Sequence, residues 1–148
     1  MKRTLFFLLS TAFLILSYQV KSQTMSTTSP TEKTELANNE KLVILWTSGD
    51  REVALKMVFM YTLNSKKFKW WDDITLVVWG PSAKLLSEDK ELQELIKKSN
   101  DAGIVLKACK GCADQYGVSE KLQELGIEVK YMGELTNYIK EGRHILTF

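Results

Sequence analysis

Gly103-Ile104-Val105-Leu106-Lys107-Ala108-Cys109-Lys110-Gly111-Cys112-Ala113-Asp114 carries an apolar run into both of the chain's cysteines, set two residues apart. Ile104 to Ala108 reads as a strand. The residues after it read as a short helix that ends at Gly117, since glycine accepts the left-handed turn a helix end requires. Thiols at a strand-to-helix junction sit where an open α/β sheet keeps its chemistry. Unpaired N–H groups and partial positive charge at a helix start also ease ionisation below the free cysteine value of roughly 8.5. Lys107 and Lys110 push the same way and Asp114 opposes them, so sequence leaves the sign of the net shift open.

The same alternation of strand and helix extends outward from this stretch. Leu42-Val43-Ile44-Leu45-Trp46 is an unbroken apolar run, as in a parallel strand covered on both faces, and Thr47-Ser48-Gly49-Asp50 breaks it. From Arg51 to Leu63 apolar residues surround nearly the whole of a helix, which predicts burial all round and hints at a subunit interface. Phe68, Trp70 and Trp71 sit among lysines and read as packing aromatics rather than a nucleic-acid platform. Ile74 to Trp79 gives a second strand ending at Gly80-Pro81-Ser82. Leu85, Leu86, Leu92, Leu95 and Ile96 keep helical spacing, predicting one amphipathic surface helix. Ser119 can cap a helix that runs to Leu125, and Ile127 to Tyr131 alternates as a fourth strand with one face partly wet. Leu135, Tyr138 and Ile139 make a last helix stopped at Gly142, and His144 to Phe148 a fifth strand. The fold expected is a three-layer α/β/α sandwich on a mainly parallel five-stranded sheet.

The compartment is read from the other end of the chain. Lys2 and Arg3, the apolar core Leu5 to Leu16, and Val20-Lys21-Ser22 form the three parts of a secretory signal, with cleavage expected after Ser22. The apolar run is too short for a stable membrane anchor, which needs about twenty residues. Loss of residues 1–22 removes three of the 20 basic side chains and none of the 18 acidic ones, moving the formal charge from +2 to about −1. Nothing in that balance suggests a nucleic-acid partner. Residues 23–40 are polar and read as a flexible linker, leaving 41–148 as one compact domain.

Three strand ends, Thr47 to Asp50, Gly80 to Ser82 and Cys109 to Cys112, open on one edge of such a sheet. Cys109 and Cys112 are therefore expected to share a pocket with Ser48, Gly49, Asp50, Gly80, Ser82 and Lys110. Asp50 reads first as a helix cap, and the lone His144 as a packed or surface residue. The Cys-x-x-Cys pair supports disulfide cycling, a persulfide on one thiol resolved by the other, or a structural clip. Two Cys and one His fall short of a closed zinc site, so no metal is expected. Phosphate-loop, dinucleotide and serine-elbow patterns are absent, and no cofactor is expected.

The order of these elements does not match thioredoxin, whose paired cysteines follow an early strand, while Trp79-Gly80-Pro81-Ser82 here has none. The chain resembles the DsrE-like sulfur-relay family. The residues that carry the resemblance are Gly103-Ile104-Val105-Leu106, Cys109, and Gly117-Val118 eight and nine residues beyond it. Leu42 to Trp46 with its Thr47-Ser48-Gly49-Asp50 loop and Leu125-Gly126-Ile127-Glu128-Val129 support it, and it spans Lys41 to Phe148. The resemblance implies a flavodoxin-like fold, assembly into trimers or hexamers, and Cys109 as acceptor of sulfur from a donor protein. Cys112 matches a second cysteine that only some relatives have. Relay members work in the cytoplasm, whereas this chain carries an export signal. The function expected is an exported, periplasmic sulfur carrier exchanging sulfane sulfur with partner proteins or polysulfide. A thiol–disulfide oxidoreductase and an oligomeric small-ligand-binding module are the alternatives.

Overall fold

The computed structural model describes residues 40–148. The expected signal and all of the expected linker except Glu40 lie outside the described residues. Five strands form one sheet: β1 (Lys41–Trp46), β2 (Asp73–Val78), β3 (Val105–Cys109), β4 (Glu128–Lys130) and β5 (His144–Thr147). Their order is β4-β3-β2-β1-β5, and every pairing is parallel. Leu42 lies opposite both Ile74 and His144, and Leu76 opposite Leu106.

Helix α1 runs from Arg51–Val53 through a π-wound turn, Ala54–Phe59, into Met60–Lys67. α2 is Pro81–Glu88, α3 Lys90–Asp101, α4 Lys110–Tyr116, α5 Ser119–Glu124 and α6 Gly133–Lys140. The first three crossovers step in one direction along the sheet, so their right-handed connections lay α1 to α5 on a single face. The fourth returns from β4 across the sheet to β5 and carries α6 over the opposite face. A three-layer α/β/α arrangement results.

Side chains record this asymmetry. Leu42, Ile44 and Trp46 of β1, Ile74, Leu76 and Val78 of β2, and Leu106 and Ala108 of β3 point to the α1–α5 side. There they pack with Ala54, Val58, Phe59, Leu86, Leu92, Ile96 and Leu122 in a cluster of nineteen buried apolar residues. The alternate positions point the other way, where five buried residues, Val43, Val77, Cys109, Met132 and Tyr138, form the second cluster.

Several elements depart from the sequence expectation. α1 is not buried all round: Met57 and Met60 are 47% and 52% exposed. Its π-wound turn holds more residues than an α-turn and so shifts which positions face the sheet. The single helix expected around Leu85 to Lys98 is two, because Asp89 leaves helical geometry and caps α3 by accepting from the Leu92 N–H. Ser119 does not cap α5; that position falls to Val118, and the Ser119 hydroxyl donates to Asp114. β4 is only three residues long at the sheet edge, with Glu128 and Lys130 exposed.

Candidate functional site

β3 ends on Cys109, which is at once its last residue and the N-cap of α4. The Cys109 side chain accepts no capping hydrogen bond from α4, and Cys112 packs against the same apolar cluster as Cys109. Both cysteines are free thiols, Cys109 buried at 7% exposure and Cys112 half-buried. A Cβ built on Gly111 meets nothing within 4 Å, so the backbone between the thiols is open to approach. Gly117, at φ +67°, ends α4 as the sequence indicates.

Placement at a helix start alone lowers a thiol pKa, yet the Cys109 thiol sits above its ordinary value. Burial disfavours the thiolate most, and the neighbouring Cys112 thiol adds to this. The N–H groups of Cys112 and Gly111 pull the other way and are outweighed. The sign that sequence leaves open is therefore upward, and the thiol rests protonated. Neither flanking lysine alters that balance. Lys110 pairs with Asp114, Nζ to Oδ2 at 2.8 Å, so these two charges answer each other. Lys107 is 8% exposed and held by Glu134 of α6 and Glu128 of β4.

The sheet edge does bring the three expected loops together, but their side chains do not share one pocket. Cys109 and Cys112 belong to the α6 side, among half-buried Leu45, Trp79, Leu135 and Ile145. Ser82 is fully buried and structural: its hydroxyl donates to the Trp46 carbonyl at 2.6 Å and accepts from the Trp79 N–H at 3.0 Å, joining the ends of β1 and β2. Asp50 caps α1, accepting from Glu52 and Val53, and the Ser48 hydroxyl accepts from the Asp50 N–H. Gly49 is a close approach: a Cβ there would stand 3.1 Å from that of Pro81. Gly80 turns the chain at φ +73° before α2. A groove of about 270 Å³ opens beside Gly49, Pro81, Lys84, Leu85, Glu88 and Tyr116, and neither cysteine lines it. The reason is the pleat. Sharing an edge does not fix which side of a sheet a side chain takes, and Cys109 takes the side away from α1 to α3.

α6 supplies what sequence reading did not connect with the cysteines. Met132 and Tyr138 pack in the Cys109 cluster, and Glu134 reaches Lys107. Lys107 Nζ also stands 5.6 Å from the centre of the Tyr138 ring, and the Arg143 guanidinium lies 4.5 Å from it. Apolar spacing marks α6 as a helix, but only the return crossover brings it over Cys109. Among the described residues, no group of three or more His, Cys, Asp and Glu side chains is arranged to hold a metal ion.

A DsrE/DsrF-like family model matches residues 40–148. The chain belongs to the DsrE/DsrF-like family. A solved structure of a conserved protein of unknown function, BT1422 from Bacteroides thetaiotaomicron, is similar at 41% identity with a TM-score of 0.71; the match covers 74% of this chain and 95% of that one. The YchN protein of E. coli is similar in fold, with a TM-score of 0.58 at 18% identity over 73% of this chain and 98% of its own. No curated protein matches the chain. The family placement agrees with the resemblance carried by Gly103 to Leu106, Cys109 and Gly117-Val118, and the parallel five-stranded sheet with the α/β fold expected from sequence.

Proposed function

We propose that this DsrE-like protein is a sulfur carrier that holds sulfane sulfur as a persulfide on Cys109. The observation that carries the reading is the setting of Cys109, the last residue of a central parallel strand and the N-cap of a helix, with a second thiol packed against the same cluster. A helix start favours an anion on sulfur, either the attacking thiolate or the persulfide it becomes. In the loading step Cys109 gives up its proton to the donor or to solvent. Its thiolate attacks the terminal sulfur of a donor persulfide or polysulfide. The donor's S–S bond breaks as the Cys109–S bond forms, and the donor departs as a thiolate, with no net oxidation. Unloading is the reverse, with an acceptor nucleophile taking the terminal sulfur and Cys109 leaving. Because Cys109 rests protonated, loading waits on a donor close enough to take the proton.

Export to the periplasm and assembly into trimers or hexamers belong to the same proposal. The first rests on residues 1–22. The second rests on the resemblance and on the half-buried Leu45, Trp79 and Ile145 around the cysteines. The packing of Cys112 against the Cys109 cluster favours one competing reading, a thiol–disulfide oxidoreductase.

Intact mass of the protein, purified without reductant and then incubated with polysulfide, tests the carrier. A gain of one sulfur, reversed by added thiol and absent in Cys109→Ser, is expected. A mass two hydrogens short that never takes up sulfur would transfer the case to disulfide chemistry. Cys112→Ser should spare loading while abolishing any disulfide cycle.

A further inference from the structure

We propose that Lys107 is a positioning residue for Cys109: through its ion pair with Glu134 it clamps α6 over the thiol's face of the sheet and thereby sets how often the thiol is reached. The inference rests on Cys109 being the working thiol.

Lys107 and Cys109 alternate onto the same side of β3, with Ala108 between them facing the large core. Cover on that side comes from α6 and its N-cap, Met132, and it is thin. Tyr138 is the one buried residue within α6, and Ile139 beside it is 59% exposed. So little apolar contact leaves the seating of α6 to its polar anchors. Lys107 is the buried one: it reaches Glu134 in the first turn, and its ammonium lies against the Tyr138 ring one turn later. Arg143 closes the far end, over the same ring and 3.4 Å from Asp73 Oδ2.

The clamp is also incomplete. Glu134 Oε2 is buried with no hydrogen-bond partner. Lifting α6 would hydrate that oxygen, which offsets part of the loss of the Lys107 contact. A helix seated mainly by polar anchors, with an unsatisfied atom that water would relieve, is suited to local opening without unfolding of the core. A donor needs that opening, since Cys109 is nearly closed to solvent while Cys112 stays partly open.

Labelling with iodoacetamide, read peptide by peptide in the full chain, tests the clamp because it reports access and requires no sulfur chemistry. Glu134→Gln keeps size and hydrogen bonding while removing the charge, and Lys107→Met removes the ammonium. In both, Cys109 labelling should rise by about tenfold or more while Cys112 changes little, as local opening predicts. Lys107→Arg should hold the wild-type rate to within about twofold, since guanidinium keeps the pair. Near-UV circular dichroism confirms that each variant is folded. Unchanged Cys109 labelling in folded Glu134→Gln overturns the proposal, as does a rise shared equally by Cys112. If the labelling order holds but wild-type protein never gains sulfur from polysulfide, the clamp stands and the carrier reading falls.

Discussion

The two faces of the sheet are built on different terms. One carries five helices and nineteen buried apolar residues, among them Trp46, Phe59, Leu76 and Leu86. The other carries α6 and five, and one of the five is a cysteine. At about 25 cal/mol per Å² of apolar surface removed from water, cohesion belongs overwhelmingly to the first face. The second face holds the buried lysine, the thiols and the half-buried Trp79. The contrast teaches a division of labour within one sheet. Alternate residues of β3 serve both sides: Leu106 and Ala108 bind the domain together, while Lys107 and Cys109 stand on a face that can move without dissolving it.

That contrast can be broken most forcefully from the thick side. Leu76→Ala should cost about 2–5 kcal/mol in denaturant unfolding, the range for a fully enclosed leucine in a core that cannot collapse around the gap. Labelling of Cys109 should accelerate only as the whole molecule unfolds. A loss well under about 1 kcal/mol would mean the two faces are more equal than their packing indicates.

A smaller effect is expected from the thin side, and it carries a pH signature. Burial alone would raise the Glu134 pKa, but the Lys107 ammonium holds its carboxyl below the usual glutamate range. Such a group stabilises the fold at pH above its unfolded value, roughly 4.3, and that contribution disappears as pH falls through the lower folded value. Glu134→Ala should cost about 1–2 kcal/mol at neutral pH. This is less than the roughly 3–5 of a fully buried broken pair, because Glu128 remains on Lys107. Melting curves of wild type and variant should converge as the solution becomes strongly acid. A gap that persists there would assign the loss to packing rather than charge.

The smallest expected effect on stability, and the sharpest on chemistry, comes from Cys112→Ala. Removing the neighbouring thiol removes one cause that raises the Cys109 pKa and leaves burial, the larger one, in place. The midpoint of Cys109 alkylation against pH should move down yet remain above the ordinary value of roughly 8.5, with melting shifted little. A midpoint below that value would show that the helix start, not burial, governs the thiol.

The sequence made much of this arrangement legible, for reasons that lie in particular residues. Leu42 to Trp46 and Ile74 to Val78 are almost wholly apolar because both of their faces are covered. Gly117 marks the end of α4 because its positive φ is one that other residues rarely adopt. The break at Asp89 was hidden because Leu85, Leu86, Leu92 and Ile96 stay in helical phase across it. π-winding in α1 leaves no trace in composition. The side of the sheet chosen by Cys109 depends on where a strand begins, and a shift of one residue reverses it. Ser82 looked like a pocket residue because a hydroxyl fits a site and a buried strand tie equally well. Glu134 lies far from Lys107 in the chain, and only the strand order makes them neighbours.

The pairing of β5 with β1 has a kinetic consequence. Thr47 donates to the Phe148 carbonyl across a separation of 101 positions, and β1 meets β5 only after every other strand has been passed. Contacts so distant in the chain form late, because the entropy of closing the loop is lost before they return anything. The crossover that closes it is the one containing α6, so the expected order of assembly encloses Cys109 last. A newly made chain would pass through a stage in which the large core is consolidated and its two thiols still face solvent, open to any oxidant that arrives before the final strand does.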